Sequence, residues 1–516
     1  MVRQADSARW WVLGVLCLAL LVVGLDITIL NVALPTISSS LGASTAQLQW
    51  IVDSYTLAFA AVMLPAGVLG DRYGRKKVLL LGLATFTVAS VWSALAGSST
   101  ELIVARTLLG AGAAVVLPLT LAFVADTFDD RERPKAIAII TTAFAAGLPL
   151  GPIIGGFLVQ KFHWGSVFWI NVPVVAVAVV AGWILLRESR SPAPPPMDVV
   201  GLVLVIASVV ALVWGFITAP EDGWAATITI CLLGGSVLLL LAFFVWEART
   251  GDRIVDPALF RKPRFTWGTI AAVVVSIALF AVLFVVPLFL QGVSGNDAFA
   301  TGIRLVPLMG GLMVAGALAG FIDRKIGTKI TVVAGLVLLA AGLVLLSLVE
   351  ADSGYGVVAV ALSVCGLGVG AAMAPAMEAV TAEVGEESGA GAAVANTLRQ
   401  VGGALAVAVL GSMLSTVYSN RLTEASDRLP AGTVETASES VMNAAAIADA
   451  LGPAGQALRT AAGEAFAEAM SGVMVSCAVV VLIGALLCGF FLPARATGTT
   501  GGNAVKARPE DFVDVE

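Results

Sequence analysis

Charge is scarce in this sequence. Asp, Glu, Lys and Arg make up 12% of its 516 residues, whereas 59% are hydrophobic. With a mean hydropathy of +0.97, the chain cannot clothe a core in a charged, water-facing surface, and the bilayer must act as its solvent. Histidine is nearly missing. The one copy, His163, sits in "QKFHWGS" between two apolar runs and reads as a loop residue rather than a proton relay. Five cysteines (Cys17, Cys231, Cys365, Cys477, Cys488) lie within apolar runs without CxxC spacing, so they read as small packing residues and offer no metal site. No GxxxxGK[ST] motif occurs, which argues against ATP as the direct energy source. The net charge of -6 and pI near 5.1 argue against nucleic acid as a partner. No nucleophile, base and orienting group, and no metal cluster, gather near a membrane face, so the residues do not describe an enzyme or call for a cofactor. Nor is a soluble signalling domain attached, as a sensor would need.

What is present is a succession of apolar runs, each long enough to cross about 30 Å of hydrocarbon. They run apolar instead of alternating, which excludes a porin-like barrel and leaves an all-α polytopic membrane protein. The breaks predict fourteen helices. The first run, from "ARWWVLGVLCLALLVVGLDITILNVALP", is too long for a signal peptide and lacks a small-residue cleavage site, so it reads as an uncleaved span. The organisation expected is a cytoplasmic N-terminus (1–10), a six-helix bundle (11–186), a linker carrying two additional helices (187–265), a second six-helix bundle (266–492) and a cytoplasmic tail (493–516). A long extracellular loop, 416–468, precedes the last helix, expected at 470–492. Its Ala-rich "ADALGPAGQALRTAAGEAFAEAM" is compatible with short surface helices. "RESRSPAPPPMD" (Arg187 to Asp198) suits a join between bundles.

Most of the 29 basic residues fall in even-to-odd loops and the two tails, including Arg72, Arg75, Lys76, Lys77, Arg324, Lys325, Lys329 and, in the loop between helices 12 and 13, Arg399. The positive-inside rule then makes both termini cytoplasmic. "DRYGRKK" after helix 2 is echoed by "DRKIGTK" after helix 10, the mark of a duplicated plan in which two bundles rock about a central site.

Charges inside spans are costly, roughly 2.5–3.5 kcal/mol each at the bilayer centre. Asp26 in helix 1, Asp53 in helix 2 and Arg106 in helix 4 all fall roughly 8–12 Å below the outer surface at about 1.5 Å per residue, so the three can meet. Burial favours a protonated carboxyl and a nearby arginine favours an ionised one. Such a carboxyl can hold either a proton or a cation, and so couple the two. The other reading is a static ion pair stitching helices together, or carboxylates close enough to the outer mouth to be hydrated. Asn31, five residues after Asp26, belongs to a different part of the helix surface. In "GVLGDRYGRKK", orientation alone does not explain Gly67, Asp71 and Gly74. A carboxylate at a helix end, a glycine turn and then Arg72 and Arg75 fit a latch between helices. In "GLPLGPIIGG", Gly147, Gly151 and Gly155 recur every fourth residue and form a smooth stripe for close helix packing. Pro149 and Pro152 add a bend and a shaped contact, as a seam that parts and reseals requires; Gly156 closes the motif.

Taken together, these stretches resemble the major facilitator superfamily, and within it the fourteen-helix drug:proton antiporters. "GVLGDRYGRKKVL" resembles the loop 2–3 signature and "LIVARTLLGAGAA" the helix 4 motif, departing at Leu109 where glutamine is common. "GLPLGPIIGG" resembles the antiporter motif of helix 5. "LDITILNVALP", "WIVDSYTLA", "VFWINVP" and "WEARTGDRIVDPALFRKPRF" are similar to signatures of the fourteen-helix branch. The resemblance implies the major facilitator fold, two six-helix bundles plus two helices, in a bacterial plasma membrane. It implies proton-driven multidrug efflux, with antibiotic resistance as the outcome, of amphipathic and often cationic drugs or dyes, without ATP or cofactor. An exporter dedicated to one endogenous metabolite, antibiotic or lipid fits the same residues. The resemblance ties Asp26 and Arg106 to proton coupling. Asp53 departs from the small polar residue common at its position. Helix 13 lacks the acid that some relatives use for divalent cations, which implies monovalent or neutral substrates.

Overall fold

Inside hydrocarbon every backbone N–H and C=O must find a partner within its own segment, so apolar runs of this length have helix as their solution. The computed structural model describes residues 6–129, 132–190, 198–250, 259–384, 389–425 and 434–493. Among these, thirteen helices are long and apolar enough to cross a membrane. A pair bent by 50°, Thr45–Met63 and Pro65–Tyr73, makes a fourteenth. The bend falls where Pro65 cannot donate its backbone hydrogen bond.

In chain order the spans are α1 (Asp6–Leu41), α2 (Thr45–Tyr73), α3 (Arg75–Leu95), α4 (Ser99–Ala114 continuing as Val116–Thr127), α5 (Arg133–Lys161), α6 (Ser166–Trp169 continuing as Asn171–Leu185) and α7 (Val199–Asp222). They continue with α8 (Thr227–Arg249), α9 (Pro263–Leu288, prolonged by a π turn at Phe289–Val293), α10 (Ala298–Arg304 and Val306–Ile326), α11 (Thr328–Ser347), α12 (Tyr355–Val384), α13 (Gly389–Glu424) and α14 (Gln456–Phe491). The far end of a span is hereafter the end opposite the start of α1. Side-chain caps hold several starts: Ser44 and Gln47 form a reciprocal capping box on α2, and Ser98, Asp198 and Asp297 each accept a backbone N–H of the helix they open.

Spans α1–α6 pack on one another, as do α9–α14, while α7 lies on α8 and against α2 and α13. A small apolar cluster of Leu57, Val213, Ile217, Ala404 and Ala408 makes that last junction, with Trp50 edge-on to Trp214. The two added helices therefore lean on the seam between bundles. Six of the seven exposed tryptophans fall at two levels, Trp11, Trp183 and Trp246 near the terminus end and Trp92, Trp169 and Trp224 near the far end, while Trp214 lies within α7. Belts of this kind sit at the two membrane–water interfaces.

Two features differ from the sequence reading. Much of 416–468 is helix: α13 runs on to Glu424, short helices cover Val434–Glu439 and Val441–Leu451, and α14 starts at Gln456, well before 470. Alanine's helix propensity carries the last span outward until Gly452 and Pro453 stop it. The count of loop charges puts Arg399 before helix 13, although the apolar run expected as that helix, 392–415, already includes it; the structure places it about ten residues inside α13. The charge itself made it read as a loop residue. As expected, a single span, α5, runs through "GLPLGPIIGG". The proline-rich part of the linker (191–197), the middle of the loop after α8 (251–258) and the tail from 494 lie outside the described residues.

Candidate functional site

The site begins with a glycine. Where Gly110 of α4 would carry a Cβ, the backbone of Tyr55 in α2 already stands, so α4 lies directly on α2. Arg106, one turn earlier on the same face, is thereby pressed over the Tyr55 ring, 4.2 Å from guanidinium carbon to centroid, and donates through Nε to the carbonyl of Ile51 at 3.3 Å. From the other side Asp26 of α1 accepts Arg106 Nη1 at 2.9 Å. Its second oxygen accepts Nδ2 of Asn171 from α6, also at 2.9 Å, and Asn171 in turn meets Ser90 Oγ of α3 at 3.4 Å. Both charges are almost fully enclosed, Asp26 at 0% and Arg106 at 2% exposure. The pair survives burial because each charge is bonded by its partner and by further polar groups.

Asp53 does not join them. Its two carboxylate oxygens are buried without a hydrogen-bond partner. Two residues along α2 amount to about 200° of rotation, so a helix that turns Tyr55 and Ile51 toward Arg106 turns Asp53 away. The expected meeting of three charges is a meeting of two.

Arg106 also borders a small central cavity, together with Ile27, Leu30, Asn31, Val52, Tyr55, Thr56, Phe280 and Gln400. This space of about 10 Å³ holds on the order of one water. It lies between the bundles, since Phe280 and Gln400 belong to α9 and α13. Each cross-bundle hydrogen bond described lies toward the far end: Gln49 to the carbonyl of Val407, Gln291 to that of Val32, Gln160 to Asp297. Toward that end the two bundles are tied to each other.

The glycines of α5 contribute to both packing tasks. Cβ atoms at Gly147, Gly151 and Gly155 would overlap the backbone of Leu21, Leu25 and Ile29 in α1, and beside them Thr28 Oγ1 donates to the carbonyl of Leu148 at 2.8 Å. Gly156 faces elsewhere. It abuts Ala298 and Phe299 of α10, while Gly302 of α10 abuts the carbonyl of Pro152, so this part of the motif belongs to the far seal.

At the terminus end, Asp71 accepts Arg75 across one turn, at 2.8 Å to Nη2 and 2.9 Å to Nε, and Arg75 also pairs with Asp126 at the end of α4. Arg72 is exposed and Gly67 has open space around its Cα. Gly74 joins α2 to α3 at φ +113°, matched in the second bundle by Gly327 between α10 and α11 at φ +88°. The sequence echo is thus an echo of backbone geometry. A Cβ at Gly74 would also meet the carboxylate of Glu188, which accepts the N–H of Lys76. Gly74→Ala is expected to cost about 1–3 kcal/mol, read as a lower thermal midpoint in detergent; an unchanged midpoint would show that the turn relaxes freely.

Sequence reasoning missed Tyr55, Asn171 and Gln400. Each is polar within an apolar run, but only their neighbours in space distinguish them from ordinary interior polar residues. Among the described residues no group of three or more His, Cys, Asp or Glu is placed to hold a metal.

The chain matches the Major Facilitator Superfamily over residues 16–407. It is 36% identical over 408 residues to the tetracenomycin C resistance and export protein of Streptomyces glaucescens, covering 79% of this chain and 76% of that one. It is 34% identical over 490 residues to the multidrug efflux pump LfrA of Mycolicibacterium smegmatis, covering 94% and 97%. In three dimensions it resembles the inward-facing, unoccupied crystal structure of a bacterial homologue of the human lysosomal transporter Spinster, with a TM-score of 0.69 over 95% of this chain and 99% of that one at 18% identity. Fourteen apolar spans, a duplicated turn and a polar cavity between two bundles are therefore the parts of an integral membrane transporter that belongs to the Major Facilitator Superfamily.

Proposed function

We propose that this chain exports amphipathic drugs, dyes or antibiotics in exchange for protons, by alternating access across a bacterial inner membrane, with both termini and the Asp71–Arg75–Asp126 cluster on the cytoplasmic side. The observation that carries the reading is the Asp26–Arg106 pair, whose arginine lines the central cavity. With Asp26 ionised the pair is neutral and tolerates a cationic substrate nearby. With Asp26 protonated, the guanidinium is left as a net positive charge on the cavity wall and repels such a substrate. Proton and cation then exclude one another, which is the requirement for exchange. One proton traded for one monovalent cation moves no net charge, so the pH gradient alone drives it; a neutral substrate also draws about 2.3 kcal/mol per 100 mV from the membrane potential. Orientation rests on the basic residues at the terminus end, and efflux on the relatives named for export and multidrug resistance.

The test is ethidium efflux in energised vesicles, with and without a pH gradient, comparing the wild type with Asp26→Asn at matched protein level. Gradient-driven movement is expected in the wild type and at least a tenfold loss in the variant. Full transport by the variant would remove Asp26 from the coupling step and direct attention to Asp53. A wild type that moves no ethidium would favour an exporter of one endogenous product.

A further inference from the structure

Arg399 is the basic residue that the loop reading misplaced, and its surroundings give it a use. It lies within α13, next to Gln400, which lines the central cavity. It is only partly buried and makes no hydrogen bond or ion pair with any described residue. An arginine this deep in a bundle without a carboxylate partner faces the interior or a wet cavity, because lipid cannot solvate it.

Helix geometry says which way it looks. Arg399 and Gly403 are four residues apart and share a face. A Cβ at Gly403 would meet the Phe280 ring at 3.0 Å, and one at Gly402 would meet Val273 at 2.7 Å. This side of α13 therefore looks onto α9, below the phenylalanine that walls the cavity, and helical side chains tilt toward the N-terminal end of their helix. On α9, Val273 and Phe280 belong to a stripe that also contains Thr269 and Ser276, at spacings of three and four residues. The hydroxyls of Thr269 and Ser276 are both buried without a hydrogen-bond partner. A free guanidinium on one helix is thus on the side turned toward a stripe with two free hydroxyls on the next, adjoining Phe280 and Gln400 of the cavity wall.

We propose that α9 and α13 form an acid-binding subsite, in which Arg399, with Thr269 and Ser276, receives the carboxylate of an amphipathic organic acid. The inference rests on the efflux reading above and narrows its substrate class: Arg399 in the C-terminal bundle neutralises the anionic end of the cargo, so for such a cargo coupling to the proton at Asp26 comes from the alternation between states and not from the charge exclusion argued for a cation. Arg suits this role better than Lys because its fork meets both carboxylate oxygens.

The test uses full-length protein in proteoliposomes with an imposed pH gradient and three dyes: ethidium, fluorescein with its free benzoate, and fluorescein methyl ester. Wild-type protein is expected to move fluorescein in preference to the ester. In Arg399→Gln the ratio of fluorescein to ester transport is expected to fall about tenfold or more, the scale of one charge-assisted hydrogen-bonded contact. Arg399→Lys is expected to give an intermediate ratio and Thr269→Val a smaller fall, so the question stays answerable if the glutamine variant does not fold. Variants that slow both fluoresceins alike, leaving the ratio unchanged, would overturn the subsite and make Arg399 a structural residue. Wild-type export of ethidium without fluorescein would also overturn it while leaving the efflux reading intact. Failure of the wild type to move any of the three would overturn both.

Discussion

Arg106→Met is expected to abolish gradient-driven efflux and to cost about 3–5 kcal/mol of stability, because it leaves the carboxylate of Asp26 enclosed with only Asn171 to bond it. The double variant Asp26→Asn with Arg106→Met is expected to recover most of the stability while still failing to couple. An apolar or neutral replacement of both members of a buried pair is often neutral in energy, whereas removing one member strands a charge. Thermal unfolding in detergent and proton-coupled flux in vesicles, measured on the same three proteins, separate the two roles. If the double variant regains transport along with stability, the pair is only a stitch between α1 and α4, and the proton must be bound elsewhere. If neither variant loses stability, the enclosure seen around Asp26 is not the state that dominates in solution.

The sequence shows the spans plainly, because twenty apolar residues in a row have one structural outcome in lipid. It also shows Asp26 and Arg106, since depth along a helix is simple arithmetic and both fall at one level. Direction around a helix was harder to read. Asp53 lies at the same level, yet the rotation that aims Tyr55 at Arg106 points it away, and only the identity of the neighbouring helix decides which face is inward. Asn171 illustrates the complementary difficulty: it completes the hydrogen bonding of Asp26 from α6, 145 residues along the chain, and nothing local announces that distance being closed. Arg399 was misplaced for a physical reason as well. Charge ordinarily ends a span, and an arginine that a span tolerates is one that the interior of the bundle has room for.

The glycine motif of α5 makes the sharpest separate prediction, because neighbouring glycines in it touch different bundles. Gly151→Val is expected to prevent stable accumulation of the protein. Its side chain would be driven into Thr28 Oγ1 and the backbone of Leu25 and Ile29, and backbone cannot yield as a side-chain tip can, so the penalty exceeds the roughly 1–3 kcal/mol of ordinary overpacking. Gly156→Val meets the backbone of Ala298 and Phe299 instead, across the junction with α10. A wedge placed between two bodies that must separate during transport prises them apart without unfolding either. Gly156→Val is therefore expected to accumulate normally, to leak protons down an imposed gradient and to expose far-end positions such as Gln49, replaced by cysteine, to a membrane-impermeant thiol reagent. Gly302→Val, which strikes the carbonyl of Pro152 from the opposite side of the same seam, is expected to behave alike. If Gly156→Val and Gly302→Val are as poorly folded as Gly151→Val, the junction is a fixed interface and the seal must part somewhere else. If they fold and leak, one ten-residue motif divides its glycines between holding a bundle together and closing the path between bundles.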